Sequence, residues 1–356
     1  MIKLNPVPII LLSQLLSYFF YVKFDNYIFL LFYLALGVVS IFFVSKKQKI
    51  SNFILFSCFS MLFITFAFFS RNNSFLLNVY NFSLGLFSLL SASLLLKINN
   101  SYKYIRFVFI LYTFMIFYYF LKFGISEPDL YNNIFEKGSR NYVSGIYVLI
   151  LCLLILTYEK QKLKVPFLYP VLTFLGCVIL YGRSGIMISF SILVYLYLFN
   201  KKYWLLKLVL SFFVLSLLIL NLDLIVNFFS EKTSFSYGIK SDRSVMIEEY
   251  LNGLIEQNFA VLFGANIQEC CNLISSFDNN PHNSFIAGHM RFGIVHTIFV
   301  IFTFIYVISS KNLLYIFLLI IIYSRFFLDQ LGMFSPLDIV IFYLLLLVKE
   351  KKVHYR

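Results

Sequence analysis

Residues 27–44 read YIFLLFYLALGVVSIFFV, an uncharged run closed by Asp25 on one side and by Lys46 and Lys47 on the other. A hydrocarbon core about 30 Å thick is crossed by about 20 mostly apolar residues in a helix rising about 1.5 Å per residue. The run does not alternate apolar and polar positions, so it is not a barrel strand. A helix satisfies its own backbone in lipid and is the remaining form. Working outward, similar apolar stretches occupy 7–22, 51–70, 78–96, 104–123, 143–158, 165–182, 185–200, 204–222, 282–309, 312–328 and 335–348. With 27–44 they predict an all-α polytopic membrane bundle of twelve helices. The split between 165–182 and 185–200 rests on Gly182 and Gly185 alone. Composition agrees: 61% of residues are hydrophobic and 13% charged. Soluble domains run nearer 45–50% and about 25%. An ordinary soluble enzyme, a disordered chain and a nucleic-acid binder are all excluded on this ground.

The net charge of +13 is explained by where the cations lie. With the N-terminus inside, one side collects Lys3, Lys46, Lys47, Lys49, Lys97, Lys103, Arg106, Lys160, Lys162, Lys164, Lys201, Lys202, Lys207, Lys311, Lys349, Lys351, Lys352 and Arg356. Only Glu159 and Glu350 oppose them there. This sorting obeys the positive-inside rule and predicts both termini in the cytoplasm. Lys3 and the apolar stretch after it could open a signal peptide, but no small-residue cleavage pattern follows, so 7–22 is taken as the first span. Cys58, Cys152 and Cys177 fall inside spans as small apolar fillers. Cys270 and Cys271 fall outside, where oxidation is permitted, and are expected to stay unpaired because a bond between neighbours is strained.

The chain divides into spans one to nine (1–222), a long outer loop (223–281), and spans ten to twelve with a cytoplasmic tail (282–356), all one integral membrane domain. Loops of such length tend to carry function. Within it Ile247, Tyr250, Leu251, Leu254 and Ile255 recur at helical spacing, while Asp242, Glu248, Glu249, Asn252 and Glu256 fill the other side. An amphipathic helix over 243–257 follows, on the membrane surface or over the bundle mouth. The chain has no Walker loop, dinucleotide fingerprint or Asp-x-Asp pair, and no cofactor is implied. Whatever energy the protein uses must come from a gradient or from a substrate that arrives already activated.

The outer side holds Arg71, Arg140, Arg183, Arg243, Arg291 and Arg325, whereas the inner side has only Arg106 and Arg356. Lysine suffices for topology; the planar guanidinium is what phosphate recognition favours. Arg325 and Asp329, four apart, read as a plain ion pair. Arg183 lies in Tyr181-Gly182-Arg183-Ser184-Gly185 between two apolar runs, where it needs a carboxylate or an anionic ligand, and the glycines leave room for a bulky group. Arg243 falls in the first turn of the loop helix. The helix dipole disfavours a cation there and welcomes a phosphate, although Asp242 or Glu248 could also neutralise it. His282 and Asn283 follow Asn280 and Pro281, read as N-cap and first helical position, and so fall in the first turn of span ten. His289 and His296 continue at spacing seven on the same face, each about 10 Å from the next, too far apart to share a metal. Gly293 on that face opens space for a chain or a lipid tail, while Arg291 points the other way.

The many spans, the dominant outer loop and the His282-to-Gly293 spacing resemble the Wzy-type O-antigen polymerases and the related O-antigen ligases. The Gly182-Arg183-Ser184-Gly185 turn, the Arg243 helix and Gly138-Ser139-Arg140-Asn141 are similar to arginine-bearing segments of that superfamily. Arg243 reaches Gly253 one residue sooner than the family pattern has it. The resemblance implies a bacterial inner-membrane enzyme that works at the periplasmic face on glycans linked to undecaprenyl pyrophosphate. It would act by metal-free inverting glycosyl transfer, with a chain-length regulator as a protein partner. Arg183, Arg243 and Arg140 would hold the pyrophosphate, and His282 would deprotonate the acceptor hydroxyl, which Asn283 helps to place. Arg291 and Glu248 would complete substrate binding, with Glu248 and Glu249 as alternative bases. A ligase joining the glycan to lipid A core would use the same donor. A lipid-linked glycan flippase is the non-enzyme alternative and would carry charges along a mid-membrane pathway.

Overall fold

The structure, a computed structural model, describes residues 6–45, 50–125, 127–136, 138–199 and 242–354. The helices are α1 (Val7–Phe24), α2 (Tyr27–Ser45), α3 (Ile50–Phe68), α4 (Phe75–Lys97), α5 (Tyr102–Phe123), α6 (Arg140–Lys160), α7 (Leu168–Ile179) and α8 (Arg183–Phe199). After the long loop begins come α9 (Asp242–Glu256), three short helices α10 (Ala260–Phe263), α11 (Ile267–Cys270) and α12 (Asn272–Ser276), then α13 (Ser284–Ile308), α14 (Leu313–Leu328) and α15 (Ile339–His354). Among the described residues the only β-type pairing is the isolated bridge between Phe135 and Gly138. Every expected apolar run except the ninth coincides with a described helix. The ninth, 204–222, and the first part of the loop, 223–241, lie outside the described residues. Among the described residues six helices are long and apolar enough to cross a membrane: α1, α2, α4, α5, α6 and α13.

At the centre stands α6. It is apolar all round, and from Val143 to Tyr158 it buries nearly every side chain. A helix without a polar face has no stable place on a surface exposed to water, so its neighbours enclose it. Its N-terminal end lies close against α8: a Cβ on Gly185 would meet Ser144 Oγ at 2.7 Å, and one on Gly182 would meet Asn141 Oδ1 at 3.0 Å. The room expected beside Arg183 for a bulky group is therefore filled by α6.

Span ten differs from the straight helix expected over 282–309. Gly293 has φ 56° and ψ −144°, which breaks α13 into two helical pieces. Phe285 packs on the Tyr323 ring at 5.2 Å, and Thr303 hydrogen-bonds the Tyr323 hydroxyl. In a straight helix those two residues would stand about 27 Å apart, so Ser284–Phe292 bends away from the rest of α13. His289 and His296 fall on opposite sides of the bend, which sets the His296 ring against Gly288. The N-cap also differs: the Asn283 side chain accepts from the Phe285 and Ile286 N–H groups. Asn280 accepts the His282 N–H instead, so His282 lies outside the helix with φ 46°.

The loop helix appears at 242–256, one residue from its expected place. It buries Met246 and Tyr250 against Ile286 and Met290 of α13, so it lies over the bundle mouth. The Tyr250 hydroxyl pairs with His289 Nδ1 at 2.7 Å, while His289 Nε2 meets the Val261 carbonyl at 3.0 Å. His289 thus ties α9 and α10 to α13. Leu251 and Ile255, expected on the same apolar face, are exposed. Cys270 and Cys271 form a disulfide, contrary to expectation. Their backbone lies at the junction of α11 and α12, where Cys271 has the extended φ −132° and is free of helical geometry. The space opposite Gly253 receives Cys270 Sγ.

Candidate functional site

Arg325 of α14 is fully buried, and although its Nε has no acceptor among the described residues, both of its Nη atoms are met, as a buried guanidinium requires for stability. Its Nη1 donates to Ser184 Oγ at 2.7 Å, and its Nη2 donates to the Asn141 carbonyl at 3.0 Å and to Asp329 Oδ2 at 2.7 Å. One side chain thereby fastens the first turns of α6 and α8 to the end of α14. The other carboxylate oxygen, Asp329 Oδ1, accepts from Arg243 Nη2 at 2.9 Å and so draws in the loop helix. The Asp329 carbonyl accepts from Ser284 Oγ at 2.8 Å, and that hydroxyl in turn accepts the Leu331 and Gly332 N–H groups. This fixes the start of α13, with Asn283 and His282 directly before it. The i, i+4 pair is present as expected. Its sharing among five chain segments was not visible in the sequence.

Around this pair stand the expected residues. Arg140 opens α6 immediately before Asn141, and Arg183 opens α8 immediately before Ser184. Arg243 lies in the first described turn of α9. Cations at the starts of helices oppose the helix dipole and are compatible with an anion bound between them. Arg140 faces Asp129 at 3.4 Å, but that carboxylate is 92% exposed, so the attraction is screened. Arg140 Nη1 is buried without a hydrogen bond among the described residues, as is the Asn283 side-chain nitrogen. A buried donor without an acceptor suits an oxygen-rich ligand.

His282 is half-buried, with its ring against Phe277. Burial and, next, the Arg243 charge lower its pKa below the ordinary imidazole value, against smaller opposing effects of Asp329 and Asp242. The ring is therefore neutral near pH 7, the state a proton acceptor requires. Asp329, which sequence reasoning assigned to a structural ion pair, holds Arg243 and also acts on His282.

Other candidates lie elsewhere. Glu248 is exposed on α9, about 140° around the helix from Arg243. Glu249 accepts the Leu273 N–H with both oxygens and so serves the start of α12. The electrostatic partner of Arg291 is Asp338, whose carboxylate accepts the Met333, Phe334 and Ser335 N–H groups. The space beside Gly293 holds no lipid tail: a Cβ there would lie 1.8 Å from the Leu262 carbonyl. Comparison of the chain with family models, with curated proteins and with solved structures gives no match.

Proposed function

We propose that this chain is a twelve-span membrane glycosyltransferase of the O-antigen polymerase type, with both termini in the cytoplasm of a bacterial inner membrane and the arginine cluster facing the periplasm. The observation that carries the reading is that Arg243 pairs with Asp329, while Arg325 on the same carboxylate binds Asn141 and Ser184, the chain neighbours of Arg140 and Arg183, and the Arg243 and Asp329 charges both act on a neutral His282. Phosphate oxygens match guanidinium donors in number and geometry. The donor is a glycan on undecaprenyl pyrophosphate. The acceptor hydroxyl gives its proton to His282 and its oxygen attacks the anomeric carbon. The bond to the diphosphate then breaks, and Arg243, Arg183 and Arg140 stabilise the charge gathering on the leaving group. No metal is required in this scheme because the cations are supplied by side chains.

The test is the surface glycan ladder of a strain lacking the protein, complemented with the unmodified chain or with His282→Ala or Arg183→Gln. Loss of long chains, retention of a single repeat and normal protein levels are expected for both variants. Normal chain length in both removes the proposal. Loss of every glycan transfers the chain to the ligase reading, and a lack of transfer by purified protein supplied with lipid-linked repeats would favour a carrier.

A further inference from the structure

The second half of α9 and the stretch after it contain exposed hydrophobic side chains where a water-facing loop would carry polar ones. Ile255 is 84% exposed and Phe259 68%, and Leu251, Val261 and Leu262 are also exposed. The stripe of Glu248, Asn252 and Glu256 lies beside Leu251 and Ile255 on α9, so the helix has a polar edge next to an apolar one.

Depth can be read from the contacts. The Phe263 ring packs on Phe66 and Phe69, at 5.7 and 5.2 Å, near the end of α3. Two residues later the chain is level with the polar turn that follows α3, where Asn72 donates to the Ala265 carbonyl at 2.7 Å and accepts the Ile267 N–H at 2.9 Å. Gly264, at φ 90°, makes the turn between the two levels. The descent is about one helical turn, roughly 5 Å. At its lowest point the Leu262 carbonyl enters the notch where α13 bends, at Gly293. Next to this segment, Phe68, Phe69, Phe75 and Leu76 at the ends of α3 and α4 are exposed hydrophobics too.

We infer that residues 255–263 are a re-entrant wedge, dipping below the polar rim of the bundle so that Ile255, Phe259, Val261 and Leu262 contact lipid acyl chains. The occupant is lipid because the patch continues the apolar belt of α3 and α4, and its polar edge marks the water side. The wedge holds the loop helix, and with it Arg243, at the height of the headgroups. It does not depend on which reaction the site performs.

The test uses the full chain in lipid nanodiscs, with nitroxide labels on Ile255→Cys and Phe259→Cys in a Cys58→Ser background. Reference labels go at Leu121, an outward residue of α5, and at Glu248. Collision rates are measured with oxygen, which concentrates in lipid, and with a water-soluble nickel chelate. The oxygen-to-nickel ratio at 255 and 259 should exceed that at 248 several-fold and approach that at 121. A ratio equal to that at 248 overturns the inference. In the unmodified chain, a phospholipid with a photoreactive acyl chain should label the 255–263 peptide as well as α5. Labelling of α5 alone, or cross-linking of 255–263 to a second copy, also overturns it.

Discussion

Asp329→Asn tests the centre of the site, because it keeps the shape of the side chain and removes only the charge. In the structure Asp329 is 5% exposed and Arg325 fully buried, and their contact is 2.7 Å. Removing one member of a buried ion pair costs about 3–5 kcal/mol, since the other charge is left without its counter-ion. Arg325 keeps Ser184 and the Asn141 carbonyl, which are neutral acceptors and do not replace it. Arg243→Gln is the paired control. Its side chain is 29% exposed, so its contact with Asp329 is worth about 0–1 kcal/mol. For a chain of this size a loss of 1 kcal/mol lowers the midpoint of thermal unfolding by roughly 2 °C. Asp329→Asn should therefore unfold about 6–10 °C lower in detergent, at roughly 2 °C per kcal/mol, and Arg243→Gln within about 2 °C of the unmodified chain. An Asp329→Asn midpoint within a degree or so of the unmodified chain would refute the buried pair. An equal loss in both variants would mean that Arg243, not Arg325, holds the carboxylate.

Other outcomes follow from the same geometry. Because burial and Arg243 depress the His282 pKa, its neutral form persists as pH falls through the usual imidazole value of 6.5, and transfer should fail only below it. Arg243→Gln removes one lowering influence and should move the acid limb of the pH–rate profile upward. Asp329→Asn removes a raising one and should move it downward; a limb unmoved in both would separate His282 from the site. Gly293→Ala should destabilise by about 1–3 kcal/mol from backbone conformation alone, with a further loss from collision with the Leu262 carbonyl, measured by thermal unfolding. Asn283→Ala removes the cap of α13 and should cost about 1 kcal/mol; an unchanged midpoint would show that the cap is dispensable.

Much of the helical layout was legible because most apolar runs are bounded by charged or turn-forming residues. The loop helix was legible for a similar reason, and it appears within a residue of its expected limits. The bend at Gly293 was not. A glycine within an apolar run reads as room for a neighbour, and whether the backbone also takes a positive φ depends on what packs there, in this case α10. The cap of α13 was misplaced because Asn280 and Asn283 are equally good N-cap residues by type, and only the structure shows that Asn283 accepts the first N–H groups of the helix.

By itself the sequence determined a helical, membrane-type chain, because hydrophobic length and charge sorting act locally and need no partner. It also singled out Arg140, Arg183, Arg243, His282 and Asn283, as polar groups in places where burial would be costly. Only the tertiary structure decided that Arg325 and Asp329 join their segments, that Arg291 turns to Asp338, and that Glu248 faces outward. Such facts depend on which helix ends meet. A carboxylate shows its charge in the sequence, but the number of cations that share it is set by packing across segments far apart in the chain.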